Sequence, residues 1–357
     1  MTIEITRQTV RLRDGRETSI FRIAAQDGVI VWVAELGATL LRIEAPDREG
    51  HRANVILGDV DIQNYPAALG MAEDPRFGAS CGRVANRIAG AAFTLDGEHF
   101  ALDANEAPNH LHGGSDGFSR QLWRGQATPR GVEMTLVSPD GDQGYPGTVS
   151  ASARFELVAP DRLALTYRAT TDRSTHVNIV SHPYFNLSGD PAVTIDRHQL
   201  EIAAESFLPI DAMALPVGAA LSVHDTPFDF RKPRAVGDVI DADHSQIRAA
   251  DGFNHCFILS SGGTQEDARF AARLRCPGSG RVMTLFTDQP ALQFYSGNAL
   301  QAADPAGSHI AFARRTGLCL EAQAFPNAAN RPDFPTTRLD PGQEYRSELR
   351  LLFAVED

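Results

Sequence analysis

Gly131-Val-Glu-Met-Thr-Leu-Val-Ser138 alternates apolar and polar side chains, and that alternation decides the fold class. Successive side chains of a strand point to opposite faces, so a period of two describes one buried face and one wet face. The same stripe recurs in Leu163-Ala-Leu-Thr-Tyr-Arg-Ala169, in Arg281-Val-Met-Thr-Leu-Phe-Thr287 and in Glu348-Leu-Arg-Leu-Leu-Phe-Ala354. Turn-forming residues punctuate the chain at Leu95-Asp-Gly97, Pro139-Asp-Gly-Asp-Gln-Gly144, Ser261-Gly-Gly263 and Pro277-Gly-Ser-Gly280. Helical periodicity is scarce: Asp61-Ile-Gln-Asn-Tyr65 and Asp241-Ala-Asp-His-Ser245 predict no more than short helical turns. Many short strands joined by Gly- and Pro-containing turns predict an all-β antiparallel sandwich or barrel. No internal repeat or linker-like stretch divides the chain, so the simplest organisation is one large domain over residues 1–357.

Composition narrows the function classes. A hydrophobic fraction of 43% and a charged fraction of 22% are those of a globular protein. A formal net charge of -12 argues against nucleic-acid and anionic-membrane partners, which require a basic footprint. No basic-then-apolar leader opens the sequence, and no apolar run approaches the ~20 residues of a membrane span, so a cytoplasmic location is expected. The four cysteines, Cys81, Cys256, Cys276 and Cys319, are scattered and form no C-x-x-C pair, which predicts reduced, buried thiols.

Two ionisable residues stand in apolar, strand-like runs: His182 in Val180-Ser-His-Pro-Tyr-Phe-Asn-Leu187 and Glu321 in Leu318-Cys-Leu-Glu321. Burying such groups is costly, and a perturbed acid or base is a common reason to find one there. A histidine and a glutamate meeting across a cleft could move a proton on and off a hydroxyl-rich neutral molecule. Tyr184 and Phe185 add aromatic surface against which a sugar's C–H face packs, and a regular strand would put His176 on the same face as His182. In Ser80-Cys-Gly-Arg-Val-Ala-Asn-Arg-Ile88 a strand would place Arg83 and Arg87 together and Asn86 opposite. Asn86 and Arg87 could donate to sugar oxygens; a surface ion pair or a turn brace is the plainer alternative. His110 and His112 form an H-x-H pair, but the residues that follow, Gly113-Gly-Ser-Asp-Gly117, lack the glutamate of a metal site, so no metal is expected. The two glycines beside His112 suit a close backbone approach, here to a ligand. The G-x-S-x-G elbow and Walker-type phosphate loops are absent.

These segments together resemble the aldose 1-epimerases, or galactose mutarotases. The resemblance spans nearly the whole chain and rests on Gly82-Arg-Val-Ala-Asn-Arg-Ile88, Asn109-His-Leu-His-Gly-Gly114, Ser138-Pro-Asp-Gly-Asp-Gln-Gly-Tyr-Pro-Gly147 and Asn178-Ile-Val-Ser-His-Pro-Tyr-Phe-Asn-Leu187. Further on come Thr226-Pro-Phe-Asp-Phe-Arg-Lys-Pro233, Gly252-Phe-Asn-His255, Gln293-Phe-Tyr-Ser-Gly-Asn298 and Cys319-Leu-Glu321. It implies a large antiparallel β-sandwich (a supersandwich) with few short helices and a sugar site in a cleft on one sheet. It implies Glu321 as catalytic base and His182 as catalytic acid, with Asn86, Arg87, His112, Asn254 and Gln293 lining the sugar site. It also implies a monosaccharide substrate and no metal or organic cofactor, and leaves monomer and homodimer open.

One position departs from the resemblance: the family's Gly-Phe-Asp-His is here Gly252-Phe-Asn-His255. Asn254 keeps one acceptor oxygen but gains donors and loses the charge, so a preference for a different hydroxyl configuration from galactose, or poorer turnover of galactose, is expected. The unperturbed values of Glu, about 4.3, and His, about 6.5, bracket an ionised base beside a charged acid, and proximity would strengthen the histidine's hold on its proton. Two rivals to a free-aldose epimerase are a hexose-6-phosphate 1-epimerase, which needs a basic cluster at the cleft, and a non-catalytic sugar-binding protein.

Overall fold

The computed structural model describes residues 2–71, 74–260, 268–301 and 310–357. Its frame is a nine-stranded antiparallel sheet in the order 124–128, 131–138, 149–159, 162–171, 345–355, 281–287, 269–275, 199–202, 234–235. The strands Gly131–Ser138 and Arg281–Thr287 coincide with the alternating segments quoted above. Val149, Ala151, Ala153, Phe155 and Leu157 are buried, whereas Ser150 and Arg154 between them are exposed.

A five-stranded N-terminal sheet (Ile3–Arg11 to Arg52–Asn54, in chain order) and a second five-stranded sheet complete the architecture. The second runs 221–222, 204–208, 254–259, 291–295, 319–323. Inward residues of all three sheets join one continuous apolar core, among them Val31 and Ile23, Phe155 and Leu165, and Phe257 and Leu320. Phe228 and Phe230, from the Thr226–Pro233 segment, enter that core; Phe228 stacks on Phe207 at 4.0 Å. Each such ring removed from water stabilises the fold by roughly 2–3 kcal/mol.

Among the described residues the one α-helix is Ser245–Ala250, beginning where Asp241–Ser245 ends, and a 3-10 turn spans Ile62–Asn64. No described helix is long and apolar enough to cross a membrane. All four cysteines are buried and unbonded. The turn expected at Ser261-Gly-Gly263 lies outside the described residues.

Candidate active site

The second five-stranded sheet supplies the floor of a cavity of about 730 Å³. Strand periodicity sorts its residues: Leu292, Phe294, Leu320 and Ala322 face the core, which leaves Asn254, Gln293, Tyr295, Cys319 and Glu321 on the other face. Register places Gln293 opposite Glu321 and Tyr295 opposite both Asn254 and Cys319.

His182 arrives from a different segment, pinned to both ends of the Glu321 strand. Phe185 exchanges two backbone bonds with Leu318 (2.7 and 3.0 Å), and the Asn178 Oδ1 accepts from the Ala324 N–H at 3.0 Å. His182 Nε2 thereby lies 3.6 Å from Glu321 Oε1 in a site where both side chains are at most 7% exposed. Its Nδ1 faces the Cys319 sulfur at 3.6 Å, and Tyr184 flanks the ring.

Burial overturns the expectation drawn from unperturbed acidities. Loss of solvation raises the Glu321 carboxyl to about 8, against smaller opposing effects of Arg87 and then Arg76. The same loss of solvation, with Arg76 second, lowers His182 to about 3. Desolvation, not mutual attraction, sets the direction of both shifts.

Asn86 and His112 leave the strand conformation expected of them: both have left-handed backbones, φ 63° and 53°. They exchange bonds with each other, Asn86 N–H to His112 Nδ1 (3.3 Å) and His112 N–H to the Asn86 carbonyl (3.1 Å). Because Nδ1 accepts, neutral His112 carries its proton on Nε2 and presents a donor. Burial holds its pKa well below the ordinary histidine value, so it stays neutral. Ligand atoms of His112, His182 and Glu321 lie within 4.8 Å of one another, but an Nε2–H is not a metal's lone pair. Asn86 Oδ1 accepts from the Arg87 N–H, leaving its amide nitrogen as donor.

The structure separates pairs that a regular strand would keep together. Arg83 is 2% exposed and is spent on Ser138 Oγ and the carbonyls of Ser138, Pro139 and Pro146. Arg87 instead reaches the cavity and forms a fork with Glu106 at 2.6 and 2.7 Å. His110 turns into the protein between the Asp103 carbonyl and Tyr145 Oη, while His112 faces the cavity. His176 is buried, bonded to Thr337 Oγ1 and edge-on to Phe93, and does not join His182 at the cavity wall. Gly113 and Gly114 are explained by protein packing, not ligand approach: a Cβ would sit 1.7 Å from the Gly82 carbonyl and 2.3 Å from Gln143 Oε1 respectively.

Of the residues singled out in the sequence, Asn86, Arg87, His112, His182, Asn254 and Glu321 line the cavity together. Gln293 is buried beside them, donating from Nε2 to Asn254 Oδ1 at 2.8 Å while its Oε1 has no hydrogen-bond partner among the described residues. Sequence reasoning passed over Arg76, Glu106 and the aromatic wall of Phe77, Tyr295 and Phe312. Adjacency of Arg76 to Ser80–Ile88 was the available signal, but irregular segments carry no periodicity to sharpen it.

The family model for aldose 1-epimerase matches residues 19–352. The galactose mutarotase of Bos taurus is 40% identical over 329 residues, covering 92% of both chains. The aldose 1-epimerase of Escherichia coli K12 is 35% identical over 346 residues, covering 96% of this chain and 97% of its own. Among solved structures, the galactose 1-epimerase of Lactobacillus acidophilus superposes with a TM-score of 0.85 at 27% identity, over 100% of both chains. These likenesses define an isomerase acting on sugars. Within that class the chain belongs to the aldose 1-epimerase family.

Proposed function

We propose that this protein interconverts the α and β anomers of a free aldose, with Glu321 as base and His182 as acid. The observation that carries this is the buried contact of His182 Nε2 with Glu321 Oε1 at 3.6 Å in one cavity with room for a sugar. Between about 3 and about 8 the pair holds a single proton. The neutral arrangement (carboxylic acid, imidazole) and the ionic one (carboxylate, imidazolium) share that proton count. They differ only by transfer across the gap.

A bound sugar replaces some of the solvation lost on burial, and Arg87 and Arg76 already favour the carboxylate. In the ionic form Glu321 removes the C1 hydroxyl proton while His182 protonates the ring oxygen. The C1–O5 bond breaks, the aldehyde rotates about C1–C2, and closure on its other face runs both proton transfers in reverse. Glu321 and His182 end as they began. His112 Nε2–H and the Asn86 amide donate to sugar oxygens, and Tyr184 and Tyr295 offer aromatic surface to the ring. Gln293 acts through Asn254, whose Oδ1 it engages.

Polarimetry on freshly dissolved α-galactose, α-glucose and pentoses is the test. Faster decay of rotation than in buffer alone, linear in protein, is expected for at least one of them. Decay at the buffer rate for every sugar would reduce the protein to a sugar-binding module.

A further inference from the structure

We infer that the cavity is built for an anionic aldose, an aldohexuronic acid whose C6 carboxylate is held by Arg76; this rests on the anomerisation proposed above. Charge accounting around the wall is the starting point. Glu106 is matched by Arg87 at 2.6 Å and Asp74 by Arg120 at 3.4 Å, while Glu321 has His182 or its own proton. Arg76 is in the same wall and ion-pairs with no carboxylate among the described residues. Its side chain donates from Nη1 to the Asp74 carbonyl at 3.1 Å, and its Nε is buried without a partner. Arg76 also has a left-handed backbone, φ 56°, as do Asn86 and His112 in the same wall. Such a conformation in a long side chain costs free energy and is held in place by its surroundings.

Position identifies which end of the sugar Arg76 meets. Three hydrogen bonds join its loop to the His182 segment: Gly78 N–H to the His182 carbonyl (2.9 Å), His182 N–H to the Ala79 carbonyl (3.0 Å), and Tyr184 Oη–H to the Pro75 carbonyl (3.2 Å). Arg76 therefore rises on the His182 side of the cavity. His182 addresses the ring oxygen, and the carbon bonded to that oxygen on the side away from C1 is C5, which carries C6. The exocyclic group of an aldohexose accordingly falls to Arg76. A hydroxymethyl group gives the guanidinium no ion pair at contact distance; a carboxylate fits its fork. A phosphate dianion needs more cationic donors than remain, because the Arg87 fork is engaged by Glu106 and Arg83 is consumed inside the protein.

Anomer exchange measured by NMR on the full chain, for galacturonate and glucuronate beside galactose, glucose and glucose 6-phosphate, tests this. At low salt kcat/KM for a uronate should exceed that of the hexose of the same configuration by about tenfold or more, the scale of one charge-assisted pair. That advantage should shrink as ionic strength rises past the range where the Debye length falls below ~10 Å. Arg76→Gln should cut the uronate-to-hexose ratio about tenfold, and Arg76→Lys should recover part of it. Hexose turnover equal to or above uronate turnover, with no salt dependence in the wild-type protein, would overturn the inference while leaving the epimerase intact. A preference for the 6-phosphate would overturn the carboxylate assignment. Exchange of none of the five sugars would remove the epimerase and this inference together. Should Arg76→Gln misfold, the wild-type substrate ranking and salt dependence decide alone.

Discussion

His182 Nε2 and Glu321 Oε1 stand 3.6 Å apart in a site nearly closed to solvent, so the two groups titrate as one unit. Loss of solvation spreads their acidities to about 3 and about 8. The single-proton form that the proposed anomerisation uses is therefore the form present across the whole neutral range. We predict that kcat/KM stays level from well below 6.5 up to an alkaline limb near 8. The measurement is anomeric exchange against pH, corrected for the buffer reaction. An acid limb at 6.5 would contradict it.

Arg83 illustrates a residue whose apparent chemistry is structural. Its buried fork satisfies one hydroxyl and three carbonyls of the Ser138–Pro146 turn. Arg83→Met should remove roughly 3–5 kcal/mol of stability, because those acceptors stay buried and unpaired. Urea midpoints measure the loss, and a midpoint within error of wild type would show the bonds to be dispensable.

Asn254 Oδ1 accepts from Gln293 Nε2–H, so what Asn254 has free to donate to a ligand is its amide N–H. Asn254→Asp would supply a carboxylate able to accept from Gln293 and from a sugar hydroxyl together, and charge-assisted bonds are about twice as strong as neutral ones. Relative kcat/KM values across galactose, glucose and pentoses should reorder by about tenfold. Superimposable profiles of the two proteins would remove Asn254 as a specificity residue.

Buried histidines set acid stability. Burial lowers His176 and His198 to about 4 and His255 to about 3. Below 6.5 the unfolded chain binds protons that the folded one refuses, so each histidine costs about 1.4 kcal/mol per pH unit as pH falls toward those values. Glu321 works the other way, because its raised pKa makes the folded form the better proton binder between 4.5 and about 8. With His182, also lowered to about 3, four histidines outweigh one glutamate, giving a net loss of roughly 5 kcal/mol from pH 7 to pH 5, and the lowered His110 and His112 act in the same direction. Equal urea midpoints at the two values would contradict this.

The strands were legible because a period of two survives in the sequence whatever the tertiary context: Gly131–Ser138 and Arg281–Thr287 are strands as read. Glu321 was legible for the same reason, as a carboxyl where the stripe demands burial. Loops were not. His112 parts from His110 because its backbone turns left-handed, which an H-x-H spacing cannot announce. Arg76 reaches the wall through bonds between loops distant in sequence. The direction of the Glu321 and His182 shifts was misjudged because desolvation depends on the finished cavity, not on the pair.

Calorimetric binding and anomeric exchange of Glu321→Gln, measured on the same sugar, test the proton-transfer pair most directly. Amide for carboxyl keeps the shape and removes the proposed base. Exchange should fall at least about a hundredfold while the sugar's affinity changes only a few-fold. Exchange near the wild-type rate in a folded, sugar-binding Glu321→Gln protein would contradict the assignment.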